Sequence, residues 1–162
     1  ILDSPEQDVI MALFTAAGLG VVIAESASVS GAEGGCQAEI GSAAAMAAAA
    51  AVELAGGTPE QTADAAALAL KSFLGLVCDP VAGLVEVPCV KRNAMAAVVS
   101  LTSAEMALAG IKSAIPVDEV IETMGSIGRD MPCSLKETAQ GGLAITPTGE
   151  KIRSRTTGLT TT

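Results

Sequence analysis

The chain has 162 residues, half of them apolar, and a net charge of −9 from 18 acids against 9 bases. That length is about one domain on a scale of roughly 100–200 residues per domain, and the composition excludes a disordered chain. The acidic balance argues against nucleic acid and anionic membrane as partners, and the absence of His means that Ser-His-Asp, Cys-His and HExxH chemistry cannot be completed within the chain.

The first predicted element is a helix over Asp8 to Ile23, entered through Asp3-Ser4-Pro5, which places Pro at an early helical position. A Ser- and Gly-rich loop follows over Glu25 to Gly35, with backbone amides that lack an obvious regular partner. The second helix, Cys36 to Ala55, carries Ala on every face and so belongs at the centre of the fold. Its apolar stretch, Ile40 to Val52, is bracketed by Glu39 and Glu53 and is too short for a bilayer, which needs about 20 residues. It reads as a buried helix of a soluble protein.

Gly56-Gly57 ends that helix, and Thr58-Pro59-Glu60-Gln61 opens the third with a capping-box pattern and Pro at the first position. The third helix is expected to run to about Leu76, where Cys78-Asp79-Pro80 stops it. A Pro-bounded loop, Asp79 to Pro88, leads to a fourth helix over about Val90 to Ile111. A fifth starts at Pro116 with acids in its first turn and ends near Gly125 to Gly128. Residues 151–162 read as a polar tail beyond a helical domain of residues 1–150. No alternating strand pattern occurs, so the expected fold is all-α, a compact Ala-rich domain of four to six helices. With 31 Ala, 2 Phe and neither Trp nor Tyr, its core must rely on close backbone approach. The segment Ile1 to Pro5 has no secretory-signal pattern, which fits a cytoplasmic protein, and the lack of an initiator Met reads as a fragment or processed subunit.

Four cysteines carry the chemistry that remains: Cys36, Cys78, Cys89 and Cys133. None form a CxxC pair, so their spacing does not suggest a zinc ribbon, and buried packing is the alternative reading. Cys36 follows Gly34-Gly35 at a helix mouth, where amides and the helix dipole favour a thiolate. Cys78 and Cys89 bound one loop, so three cysteines lie at element ends, where ligands from distant sequence converge. Cys133 sits in a polar turn and is not expected to be a ligand. Three thiolates without His suit an iron-sulfur cluster better than zinc, and leave one iron open as a Lewis acid. Ser28 and Ser30 can donate to a substrate carboxylate or a cluster sulfide, or serve turn chemistry alone. Asn93, with Lys91 and Arg92, follows Cys89 in a first helical turn and can face the substrate or simply be solvated. Gly141-Gly142 permits either a close backbone approach or a plain turn.

The blocks Ser26 to Glu33, Gly35-Cys36-Gln37-Ala38-Glu39-Ile40-Gly41, Leu76 to Cys89, Arg92-Asn93-Ala94 and Lys136 to Ala144 closely resemble the iron-sulfur-dependent bacterial L-serine dehydratases. The match is to the C-terminal half of their catalytic α portion. What the resemblance implies is a 4Fe-4S cluster held by Cys36, Cys78 and Cys89, with L-serine as substrate. An open iron would take up the β-hydroxyl while a base removes the α-proton, and the aminoacrylate formed would go on to pyruvate and ammonia. It further implies partners not present here, a β portion and the N-terminal half of the α portion, within an oligomeric complete enzyme. The catalytic base is then expected outside this chain, and the isolated chain is expected to be inactive. Two other readings stand beside this one: an iron-sulfur L-cysteine desulfidase, and a non-catalytic helical domain whose cysteines are buried or bind a structural metal.

Overall fold

The computed structural model describes residues 4–159. Its centre is the Ala-rich helix α3, Ser42–Leu54, continued backward by a single π turn over Gln37–Gly41. Helices α1 (Glu6–Ser26), α4 (Pro59–Lys71) and α5 (Cys89–Leu108) pack around it. A four-residue helix α2 (Gly31–Gly34) interrupts the Ser/Gly loop, and α6 (Val117–Asp130) closes against α2 and α4. The last helix, α7, spans Pro147–Leu159. No β-strand forms among the described residues; a single parallel bridge joins Cys78 to Lys136. The fold is all-α, with seven helices among the described residues, six of 13 residues or more and the four-residue α2, where four to six were expected.

Small side chains let these helices approach closely. Ala44, Ala48, Ala65, Ala69, Ala104 and Ala107 are buried in one cluster around Ile40 and Val52. A second cluster joins α3 and α4 to Ile121 and Met124 of α6. The capping box at α4 forms as its sequence pattern predicts: Thr58 Oγ1 accepts from the Gln61 amide at 3.3 Å, and Gln61 Oε1 accepts from the Thr58 amide at 2.9 Å.

Two expectations are corrected. The third helix ends at Lys71 rather than near Leu76, because Ser72 to Leu76 fold into successive turns and Gly75 adopts φ +82° with its amide donated to Gln37. Residues 151–159, expected as a polar tail, are helical: Thr146 Oγ1 accepts from the Gly149 amide, Pro147 fits the first turn, and Glu150 pairs with Arg153. Residues 160–162 of that stretch, and Ile1 to Asp3 of the first helix's entry, lie outside the described residues. Ile40 to Val52 is largely buried, as expected. Helix α1, with 21 residues and an 18-residue window of mean hydropathy 2.0, is long and apolar enough to cross a bilayer by length and composition. It lies along α3 and leaves Leu13 and Phe14 63% and 68% exposed.

Candidate metal centre

Cys36, Cys78 and Cys89 line one cavity of about 410 Å³, together with Glu39, Ile40, Val85, Val90, Asn93 and Glu137. Each cysteine arrives on a different element. Cys36 directly precedes the π turn, following Gly35 at φ +78°, where an added Cβ would run into Met131 and the Leu76 carbonyl. Turns of this kind recur at functional sites in helices. Cys78 lies in an extended segment, its amide donating to Leu135 O and its carbonyl accepting from Glu137 N, both at 2.8 Å. Cys89 is the first residue of α5. Ligand atoms of Cys36, Glu39 and Cys78 all fall within 4.8 Å of one another.

Two clamps hold these segments in place. Gln37 is fully buried; its amide donates to Leu76 O, its Nε2 donates to Met124 O, and its Oε1 accepts from Gly75 N. The turn beside Cys36, the segment before Cys78 and helix α6 are thereby joined through one side chain. Asp79, 3% exposed, accepts from Arg92 Nη1 through Oδ1 and from the Leu143 amide through Oδ2, both at 2.7 Å. Arg92 Nη1 also donates to Val77 O at 3.0 Å, so the flank of Cys78 is tied to the first turn of α5. Gly142 sits at φ +58° and a Cβ there would overlap the Asp79 carboxylate, so its close backbone approach is required by the fold.

The electrostatics depart from the expectation at Cys36. Burial raises its thiol above the ordinary 9.0, outweighing the opposing pull of Cys78 and Arg92. The helix mouth therefore does not leave a free thiolate: at 1% exposure, loss of hydration dominates. Cys78 is pushed up strongly, by burial first, then by Cys36 and by the charges of Glu137 and Glu39. Cys89 is raised chiefly by burial. Cys36, Glu39 and Cys78 form a group able to hold a metal ion, with Glu39 at its exposed side.

The donor set fits an iron-sulfur group. Three sulfurs on separate rigid elements open onto one space, no His competes, and the volume is on the order of ten times the roughly 30 Å³ that one water occupies. That is room for a multi-atom group with a small molecule beside it.

Asn93 lines the same cavity and donates from Nδ2 to Cys89 O at 3.0 Å. Ser28 lies elsewhere, in a cavity of about 240 Å³ with Glu33, Met124 and Arg129, and its hydroxyl donates to Glu33 at 2.6 Å. It also accepts from the Ser30 amide at 3.0 Å, the turn chemistry of its alternative reading, and neither serine lines the thiol cavity. Arg92 is engaged by Asp79. Cys133 is exposed in a 3₁₀ turn, away from the cavity lining. Sequence reasoning missed the positioning by Gln37 and the arrival of Glu137.

A family model described as serine dehydratase alpha chain matches residues 2–144. The chain belongs to this serine dehydratase alpha-chain family. It is 62% identical over 97% of its length to a probable L-serine dehydratase alpha chain of Bacillus subtilis, of which it covers 52%. A probable L-serine dehydratase alpha chain of Latilactobacillus sakei is 60% identical over 90% of this chain, which covers 70% of that relative. L-serine dehydratase 1 of Escherichia coli is 48% identical over 89% of this chain, with 32% of that protein covered. The chain thus spans about half the length of the Bacillus relative.

Proposed function

We propose that this chain is the C-terminal half of the catalytic α portion of an iron-sulfur L-serine dehydratase, an L-serine ammonia-lyase that converts L-serine to pyruvate and ammonia. The single observation that carries the reading is the convergence of Cys36, Cys78 and Cys89 on one cavity, in a chain of the serine dehydratase alpha family. The cysteines would give up their protons and hold a 4Fe-4S cluster. When bound, that cluster supplies Lewis acidity at an iron without a thiolate, which makes a β-hydroxyl a better leaving group.

The chain's own residues perform the positioning. Gln37 and the Asp79–Arg92 pair fix the three thiol-bearing segments. Ile40, Val85 and Val90 give the cavity an apolar part of its lining. The general base is assigned outside this chain, with the β portion and the N-terminal half of the α portion. The reading carries a cytoplasmic location, where thiols remain reduced, and an oligomeric complete enzyme.

The test is anaerobic reconstitution of the complete enzyme with iron and sulfide, for the parent and for Cys36→Ser, Cys78→Ser and Cys89→Ser. Bound iron with serine turnover in the parent, both lost in each variant, is the expected result. Full turnover in any of the three variants overturns the reading. The isolated chain is expected to be inactive, and turnover by it alone would contradict the assignment of the base.

A further inference from the structure

A thiolate in a buried site has lost most of its hydration, so its charge must be met by the protein as well as by any metal it binds. Cys36 and Cys78 are 1% and 3% exposed, and the carboxylates that line their cavity, Glu39 and Glu137, have the wrong sign to help. The cation that comes to these segments is Arg92, from outside the cavity lining.

Two contacts place its guanidinium. Nη1 donates to Val77 O at 3.0 Å and to Asp79 Oδ1 at 2.7 Å, and these two acceptors belong to the residues on either side of Cys78. Cys89 lies three residues before Arg92, on the preceding turn of α5. Asp79 is itself fixed, since the Leu143 amide donates to Oδ2 at 2.7 Å and Gly142 fills its space only because it has no Cβ. A guanidinium has five N–H donors, and these contacts engage the two on Nη1, so three remain on Nε and Nη2. The Arg92 side chain is 21% exposed, which leaves its field weakly screened.

The thiols register that field. Burial is the first cause that holds Cys36 and Cys89 up, and Arg92 pulls both the other way, acting on Cys36 through its charge and through a side-chain contact with the thiol. Asp79 acts on Cys89 with the opposite sign.

We propose that Arg92 is a positioning residue of the metal centre that stabilises the anionic sulfurs of Cys36 and Cys89, and that Asp79 aims its charge and partly offsets it. This inference rests on the functional reading above. The pair then does more than tie two segments together, because its two members bias the centre in opposite directions. Net charge and hydrogen bonds to the sulfurs set the reduction potential of an iron-sulfur group. A tie that was only mechanical would be lost alike whichever partner was removed.

The experiment uses the complete enzyme, reconstituted anaerobically with iron and sulfide, as parent, Arg92→Gln, Arg92→Lys and Asp79→Asn. Iron retained against a chelator and the midpoint potential of the centre, followed by its visible spectrum, are the readouts. Arg92→Gln is expected to weaken iron retention by about 10–100-fold and to lower the potential, since loss of a positive charge favours the oxidised centre. Asp79→Asn breaks the same ion pair and is expected to raise the potential. Arg92→Lys keeps the charge without the planar fork, and is expected to stay near the parent's potential and to retain more iron than Arg92→Gln.

Potentials that move in the same direction in Arg92→Gln and Asp79→Asn, or that do not move, reduce the pair to a mechanical clamp and overturn the proposal. If Arg92→Gln assembles no centre, Arg92→Lys decides: iron bound at the parent's potential supports the role of charge, and loss of all iron refutes it. A parent enzyme that binds no iron removes the functional reading itself, an outcome distinct from these.

Discussion

Gln37 donates a hydrogen bond from Nε2 to the carbonyl oxygen of Met124 at 3.1 Å, with the Gln37 side chain fully shielded from solvent. Its Oε1 simultaneously accepts from Gly75 N at 2.8 Å. Replacing Gln37 by Leu keeps the volume and removes both partners at once. A buried polar group left unpaired costs about 1–3 kcal/mol, so Gln37→Leu is expected to lower stability by about 2–4 kcal/mol. Urea unfolding at fixed m-value checks this, and the same variant is expected to retain less iron after reconstitution because Cys36 and the segment before Cys78 lose their shared tie.

Gly56 and Gly142 both have positive φ, at +75° and +58°, yet a Cβ on Gly56 meets open space whereas one on Gly142 overlaps Asp79. Gly56→Ala therefore carries the backbone penalty alone, about 1 kcal/mol. Gly142→Ala carries that penalty and also displaces the carboxylate that holds Arg92 and Leu143, so its loss is expected to exceed that of Gly56→Ala by about 1–3 kcal/mol. Parallel thermal melts of the two variants decide the point, and equal melting temperatures would contradict the Asp79 clamp.

The reach of an interaction along the chain decides where the sequence could be read and where it could not. The Thr58–Gln61 capping box and the Ala-rich centre of α3 were legible because the interactions that make them lie within one turn or one helix face. The end of α4 was not: Gln37, dozens of residues away, takes the Gly75 amide and stabilises a turn that local propensity does not announce. The thiolate expected at Cys36 followed from helix-end electrostatics, and burial of the site reversed it. Glu39 sits in the same motif as Cys36, but its approach to Glu137 depends on the Cys78–Glu137 backbone pairing, which leaves no periodic or compositional trace. Gly141-Gly142 announced a turn or a close approach, and only the position of Asp79 selects between them.

Cys36 and Cys78 keep their protons above the ordinary value of 9.0, because burial penalises the thiolate. The unfolded chain releases these protons as pH rises through about 9, while the folded, metal-free chain retains them. The stabilising contribution is thus complete below pH 9.0 and declines above it, by about 1.4 kcal/mol per pH unit for each proton of difference. Metal loading has the opposite dependence, since the thiols must lose those protons to bind. Melting temperatures of metal-free protein from pH 8 to 10 are expected to fall, whereas in Cys36→Ser the fall is expected to be shallower.

Exposure separates the four cysteines in a way that chemistry can read directly. Cys133 is exposed, Cys89 is half-buried, and Cys36 and Cys78 are 1% and 3% exposed. Iodoacetamide applied to the reduced, metal-free chain is expected to label Cys133 first and Cys36 and Cys78 last, because access and thiolate fraction both limit the buried pair. The Asp79 carboxylate contributes to holding the Cys89 thiol up. In Asp79→Asn that repulsion is gone and Arg92 is freed, so the pH profile for Cys89 alkylation is expected to shift toward lower pH while Cys133 labelling stays unchanged. Peptide mapping by mass spectrometry across pH resolves each site, and an unshifted Cys89 profile would show that Asp79 acts on the site through packing alone. Cys133→Ser, by the same placement, is expected to leave iron content unaltered.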